Sequence, residues 1–284
     1  MRISNGRQLS FVRSSLRFFI NLVRAVKRPL AESIQNRQIA KVDQREIIKQ
    51  QTNFFEAIGL DWNVANQIVV GLEGEVPAAG SHRSQHFEVF VALGTKIKPK
   101  RILEIGTGEA TFAAFLSKAF PEATIESIDL PDDHKRFWNA IDDQKVTIAD
   151  ETKPDSVRLS KRNENLKKSP NVNFRELNSL ALSRLDEAEF DLIWVDGDHT
   201  FPIVACDIAN AIRLLKPNGT LVCDDVYLAD GGINGGWGSQ ETQRALQAFT
   251  EAKIISTQYV LKSVLPKKNF NSKVQKHLAV CRLA

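Results

Sequence analysis

Apolar positions along the chain follow two periods, and the change comes near residue 84. Before it the repeats are helical. In residues 9–26, Val12, Leu16, Phe19, Val23 and Val26 recur at spacings of three and four with basic residues between them, the pattern of an amphipathic helix. Residues 31–70 continue in the same mode, most regularly in QREIIKQQTNFFEAIGL. GLEGEVPAAGSH (71–82) is broken by Gly and Pro and reads as a boundary loop. The chain is thus expected to divide into a helical N-terminal extension, 1–83, with a basic amphipathic segment at 9–28, and a main domain, 84–284.

Beyond residue 84, short apolar runs alternate with helical patterns. RILEIG, ATIESIDL, NVNFREL, FDLIWVD and TLVCDD read as strands. HFEVFVALGTKI, ATFAAFLSKAF, SVRLSKRNENLKK, SLALSRLDEA, PIVACDIANAIRLLK (closed by Pro217 and Gly219) and SQETQRALQAFTEA read as helices. IISTQYVLKSV and KHLAVCRL add two strands, expected to be antiparallel neighbours. The order predicts an α/β fold: a doubly wound, Rossmann-like sheet of seven strands with the last antiparallel. Such sheets bind ligands outside the carboxyl ends of their strands, so the chemistry is expected just after each strand.

Composition changes this picture little. With 43% hydrophobic and 25% charged residues a packed core is expected. No apolar run approaches the roughly 18–20 residues of a membrane-spanning helix. Charge is more informative. Seven basic residues, Arg2, Arg7, Arg13, Arg17, Arg24, Lys27 and Arg28, precede the first acid, Glu32; taking them from the total of +4 leaves −3 for the rest. The body is mildly acidic, which gives no case for nucleic-acid binding. The basic segment has two readings: it lies on an anionic membrane surface, or it packs on the body or on a second copy in a homo-oligomer. Cys206, Cys223 and Cys281 form no CxxC or paired framework and read as buried apolar residues in a reduced, cytoplasmic setting.

The strand ends supply the candidate chemistry. After the first strand, EIGTGEAT places Glu104, Gly106, Thr107 and Gly108 at the opening of a helix, where glycines let a ligand approach the backbone. The second strand ends in Asp129, a carboxylate able to accept two hydrogen bonds from a ribose diol. After the third, Asn178 and Ser179 are candidates for an adenine edge, with Ser179 equally placed to cap the next helix. The fourth strand ends in Asp196-Gly197-Asp198-His199 and the fifth in Asp224-Asp225. Three carboxylates, Asp196, Asp224 and Asp225, converging without a cation would repel one another. A hard, oxygen-preferring ion such as Mg²⁺ relieves that repulsion.

In this order the residues resemble class I S-adenosylmethionine-dependent methyltransferases over roughly residues 84–284. EIGTG looks like the family's glycine-rich loop beside the methionine part of the cofactor. VDGDH followed by LLKPNGTLVCDDV is similar to the metal-dependent sugar and small-molecule O-methyltransferases of the macrocin and mycinamicin type. The resemblance implies S-adenosyl-L-methionine as cofactor, bound by Glu104, Gly106, Thr107, Gly108, Asp129, Asn178, Ser179 and Asp196. It also implies Mg²⁺ on Asp196, Asp224 and Asp225, with His199 and Asp196 as the catalytic residues and His199 the base. The acceptor would be a hydroxyl of a small molecule, sugar or glycolipid, reached at the inner membrane face if residues 9–28 touch lipid. Asp198 is either a partner that orients His199 or a turn acid. The glycine-rich YLADGGINGGWGSQ (227–240), anchored by Trp237, is a candidate lid, and 131–155 is a polar insertion without a matching motif.

Two other classes compete. A nicotinamide-dependent oxidoreductase would share the sheet and Asp129. It lacks the third glycine of its fingerprint, Thr111 standing there, and neither Tyr227 nor Tyr259 has a lysine four residues on. A catalytically inactive methyltransferase-fold binding protein would not be expected to keep Asp196, His199, Asp224 and Asp225 together.

Overall fold

RILEI, FDLIWV and GTLVCDDV offer almost no polar face to water, so each must run through the middle of a sheet covered on both sides. The computed structural model describes residues 44–73, 84–131, 156–185, 189–228, 240–266 and 273–284. Its strands are β1 (Arg101–Ile105), β2 (Thr124–Asp129), β3 (Val172–Glu176), β4 (Phe190–Val195), β5 (Leu215–Val226), β6 (Ile255–Pro266) and β7 (Lys273–Leu283). The helices are α1 (Gln44–Ala57), α2 (Trp62–Glu73), α3 (His86–Ile97), α4 (Thr111–Ala119), α5 (Ser156–Lys167), α6 (Ile203–Leu214) and α7 (Glu241–Glu251).

The seven strands stand in the order β3-β2-β1-β4-β5-β7-β6. β1 to β5 pair in parallel, and β7 runs antiparallel to both β5 and β6. The order reverses between β1 and β4, which is where such a sheet opens a ligand crevice. Alternation along the strands sorts side chains to two cores. Ile102, Ile125, Leu192, Trp194 and Val222 pack with Phe90, Phe112 and Phe115 on one face; Leu103, Ile105, Ile193, Val195 and Leu221 pack with Val204, Ile208 and Leu246 on the other.

The expected helical N-terminal part is present over 44–73. It is built into the first core through Phe55, Leu60, Trp62, Ala65 and Val69. Gln51 Nε2 donates to Leu261 O (2.7 Å) and Trp62 Nε1 to Gln85 Oε1 (2.9 Å), tying α1 to β6 and α2 to the residue before α3. The basic segment 9–28, the 131–155 stretch beyond Pro131 and Trp237 with its glycines lie outside the described residues. Among the described residues no helix is long and apolar enough to cross a membrane.

Two elements differ from the sequence pattern. SLALSR forms a 3₁₀ turn, Ser179–Arg184, rather than an α-helix; a segment this short is held by its cap, not by a periodic buried face. Helix α6 ends at Leu214, and the chain enters β5 at Leu215, which pairs with Phe190 two residues before Pro217. β7 is also flanked by two bulges. Asp224 and Asp225 together stand between the pairs Cys223–Ala279 and Val226–His277, and Lys262 is the extra residue between Leu261–His277 and Ser263–Lys276.

Candidate active site

The loop after β1 turns on glycines because its backbone has nowhere else to go. Gly106 has φ +103°, and a Cβ there would lie 2.3 Å from Asp196 O. Asp196 N–H in turn donates to Ile105 O (2.9 Å), so the β1 and β4 loops touch backbone to backbone. Gly108 has φ +55° and open space where a Cβ would point, leaving its backbone approachable. The N–H groups of Gly106 and Thr107 both donate to Ile128 O (2.9 and 3.2 Å), locking this loop to β2.

Asp129 sits at the end of β2 and supports the same loop. Its Oδ2 accepts the Gly108 N–H (2.9 Å), its Oδ1 accepts the Leu130 N–H (2.9 Å), and Arg158 Nη1 stands 3.4 Å from Oδ2. Glu104, two residues before Gly106, is 1% exposed. It accepts a hydrogen bond from Ser127, whose hydroxyl also meets Thr107 Oγ1 at 2.6 Å. Burial pushes the Glu104 carboxyl up to about 8; the Ser127 bond pulls the other way, and the charges of Asp196 and Asp129 add to the rise.

After β3, Asn178 caps the 3₁₀ turn, its Oδ1 accepting the Leu180 N–H (2.9 Å). The capping role open to Ser179 therefore falls to Asn178. The Ser179 hydroxyl bonds Asp207 of α6, whose carboxyl burial raises to about 6.

After β4, Asp196 Oδ1 lies 3.4 Å from His199 Nε2. Burial disfavours the charged imidazole, but Asp196, with weaker help from Asp224 and Asp225, outweighs it and leaves the His199 pKa raised above 6.5. Asp198 Oδ1 accepts the Thr200 N–H and hydroxyl, both at 2.8 Å, which is the work of a turn acid.

Asp224 arrives beside this pair. One atom each from Asp196, His199 and Asp224 lie within 4.8 Å of one another. Asp224 Oδ1 is buried and meets no hydrogen-bond donor among the described residues. Its carboxyl is raised by burial and by the charge of Asp196, against the pull of Lys262.

The expectation of three converging carboxylates is met by two. Asp225, in the left-handed region at φ +50°, gives Oδ1 to Lys262 Nζ and Oδ2 to Lys276 Nζ, both at 2.7 Å. The bulge that breaks strand alternation turns it to the lysines and out of the Asp196–His199–Asp224 group.

Sequence reasoning also missed His86, which stacks on Trp194 (centroids 5.5 Å, interplanar 14°) and favours the charged form of Asp224. The available signal was a set of polar residues inside apolar runs: Lys262 in YVLKSV, and His86 opening HFEVF.

Residues 103–226, from β1 to the end of β5, match a family model described as a methyltransferase domain. Over that span the chain is similar to a methyltransferase domain. The matched span holds every site residue proposed from the sequence. A cofactor-bound protein from MTB is 17% identical, with 78% of this chain and 98% of that one covered and a TM-score of 0.51; it shares the fold. The O-methyltransferase TomG from Streptomyces achromogenes, solved with SAM, is 18% identical over 84% of this chain and 99% of that one, TM-score 0.46. An SAH-bound methyltransferase from Podospora anserina is 20% identical over 69% and 77%, TM-score 0.43. No curated protein matches the sequence. The seven-stranded sheet with its last strand antiparallel is the Rossmann-like fold of S-adenosylmethionine-dependent methyltransferases.

Proposed function

We propose that the methyltransferase domain transfers the methyl group of S-adenosylmethionine to a hydroxyl oxygen of a small molecule, sugar or glycolipid. The observation that supports this best is the Asp196–His199 pair beside Asp224, at the point where the strand order reverses. Glu104 and the loop of Gly106, Thr107 and Gly108 would face the methionine part of the cofactor, with the buried acid near its ammonium. Asp129 would hold the ribose, and Asn178 and Ser179 would border the adenine.

Methyl transfer from a sulfonium is an in-line displacement. The new O–C bond forms as the C–S bond breaks, the electron pair stays on sulfur, and the hydroxyl proton must leave. His199 accepts that proton, and Asp196, which faces its Nε2, stabilises the imidazolium that forms. Orienting acceptor and donor is the domain's main contribution.

The residues also fit a divalent cation, since Asp224 Oδ1 is a buried acceptor without a donor among the described residues and Asp196 stands beside it. With His199 kept as the base, Asp196 and Asp224 would be the protein donors, a set sufficient for Mg²⁺ completed by water and acceptor. Bound there, Mg²⁺ would acidify and orient the acceptor hydroxyl. The cationic amphipathic pattern of 9–28 supports a membrane-borne acceptor at the inner face.

The test is a pair of titrations followed by an assay. Purified protein should bind S-adenosylhomocysteine and not NAD, and should release S-adenosylhomocysteine from S-adenosylmethionine when given sugar or glycolipid hydroxyls. Binding of NAD in place of S-adenosylhomocysteine would overturn the reading. Turnover on amines alone would remove the hydroxyl assignment.

A further inference from the structure

β7 runs between two strands that bulge at the same level. On one side β5 crowds Asp224 and Asp225 opposite a stretch of β7 that offers Leu278 alone; on the other β6 inserts Lys262 beside His277. A bulge breaks alternation and re-aims the side chains it holds. The paired bulges bring Lys262, from the edge strand, across β7 to the acids of β5. Its Nζ lies 2.5 Å from Asp224 Oδ2 and 2.7 Å from Asp225 Oδ1. Lys276 Nζ closes on Asp225 Oδ2 at 2.7 Å.

This lysine is fixed in place. Its own carbonyl accepts the Gln85 N–H (3.3 Å), and the carbonyl before it accepts Gln51 Nε2 (2.7 Å). The side chains of Lys262, Asp224 and Asp225 are 12%, 6% and 5% exposed. Charges that deep are tolerated only when paired, and here one ammonium is shared between two carboxylates.

We propose that Lys262 is a resident cation that restrains divalent-ion binding at Asp196 and Asp224, by occupying Asp224 Oδ2 and, with Lys276, holding Asp225 out of the donor set. Asp224 is left with a single oxygen, Oδ1, for an ion. Two ammoniums offset two of the three carboxylate charges, so an arriving divalent ion meets weak net attraction and few protein donors. Such a site exchanges its ion readily and leaves coordination positions to water and the acceptor hydroxyl.

The inference rests on reading Asp196 and Asp224 as a divalent-ion site, and its test measures binding rather than turnover. Mn²⁺ is titrated into the full chain and free Mn²⁺ is followed by electron paramagnetic resonance, with S-adenosylhomocysteine affinity as the check on folding. Lys262→Met should bind Mn²⁺ at least tenfold more tightly than the wild type. Lys262→Arg, which keeps the charge, should stay within about threefold of it. Lys276→Met, which frees only Asp225 Oδ2, should tighten binding by a smaller factor, and it decides the matter should Lys262→Met fail to fold. Wild-type binding that is unchanged or weakened in the folded methionine variants overturns the role of Lys262 and leaves the ion site standing. Absence of Mn²⁺ binding in every protein overturns both.

Discussion

Asp196 Oδ1 faces His199 Nε2 across 3.4 Å, so an acid and an imidazole three residues apart turn back on each other within one loop. Burial opposes the imidazolium there and Asp196 favours it, and the raised pKa of His199 says which wins. A base works only when neutral. The rate kcat/KM is therefore expected to rise with pH through a midpoint above 6.5. Asp196→Asn should move that midpoint down while lowering kcat, and His199→Gln should lower kcat by about 10²–10⁴-fold. A pH profile that does not move in Asp196→Asn would remove the pair from the mechanism.

Glu104 predicts a stability slope. Its folded pKa, about 8, lies above the ordinary 4.5. Between these values the unfolded chain has released a proton that the folded one keeps, so stability falls as pH rises, with the loss complete above about 8. The slope is roughly 1 kcal/mol per pH unit. Glu104→Gln should flatten it and be more stable than the wild type at pH 8 in urea titrations without cofactor. It should also bind S-adenosylhomocysteine more weakly, since the cofactor ammonium loses its acid.

Asp207 acts in a lower window. Its carboxyl is raised from 3.8 to about 6 by burial, so its share of the stability loss falls between those values and is complete by about pH 6. Asp207→Asn, keeping the Ser179 contact, should flatten that part of the curve and leave the Glu104 part intact. A single unchanged slope in both variants would show that neither acid is responsible.

Asp129 accepts the Gly108 N–H while standing where a ribose is expected. Asp129→Asn removes the charge from both contacts. A hydrogen bond to a charged group contributes about 1.5–3 kcal/mol, so S-adenosylhomocysteine affinity should fall roughly 10- to 100-fold by calorimetry. Thermal stability should fall much less, because the Gly106 and Thr107 bonds to Ile128 O remain.

The sheet was legible in the sequence because its central strands are apolar on both faces, and the candidate residues were found because α/β sheets bind ligands at strand ends. Glu104, Gly106, Asp129, Asp196 and Asp224 all fall there. The turn of Asp225 toward the lysines was not legible, because a bulge is a property of strand pairing, and no local pattern in LVCDDV announces that β7 will meet two residues with one. Lys262 and Lys276 were missed for a related reason. A lysine in an alternating strand reads as solvent-facing, and only the register of β6 on β7 turns it toward the acids. The 3₁₀ turn at Ser179–Arg184 escaped because three apolar residues in six satisfy either kind of helix.

The contact between Gly106 and Asp196 O has a mechanical meaning. The loop proposed to carry the methyl donor and the loop bearing the proposed proton acceptor abut with no room for even one carbon between them. Neither can drift without pushing the other. On the proposed reading, the span from sulfur to nucleophile, which a displacement reaction needs held within a fraction of an ångström, would be gauged by two main chains in contact rather than by side chains free to rotate.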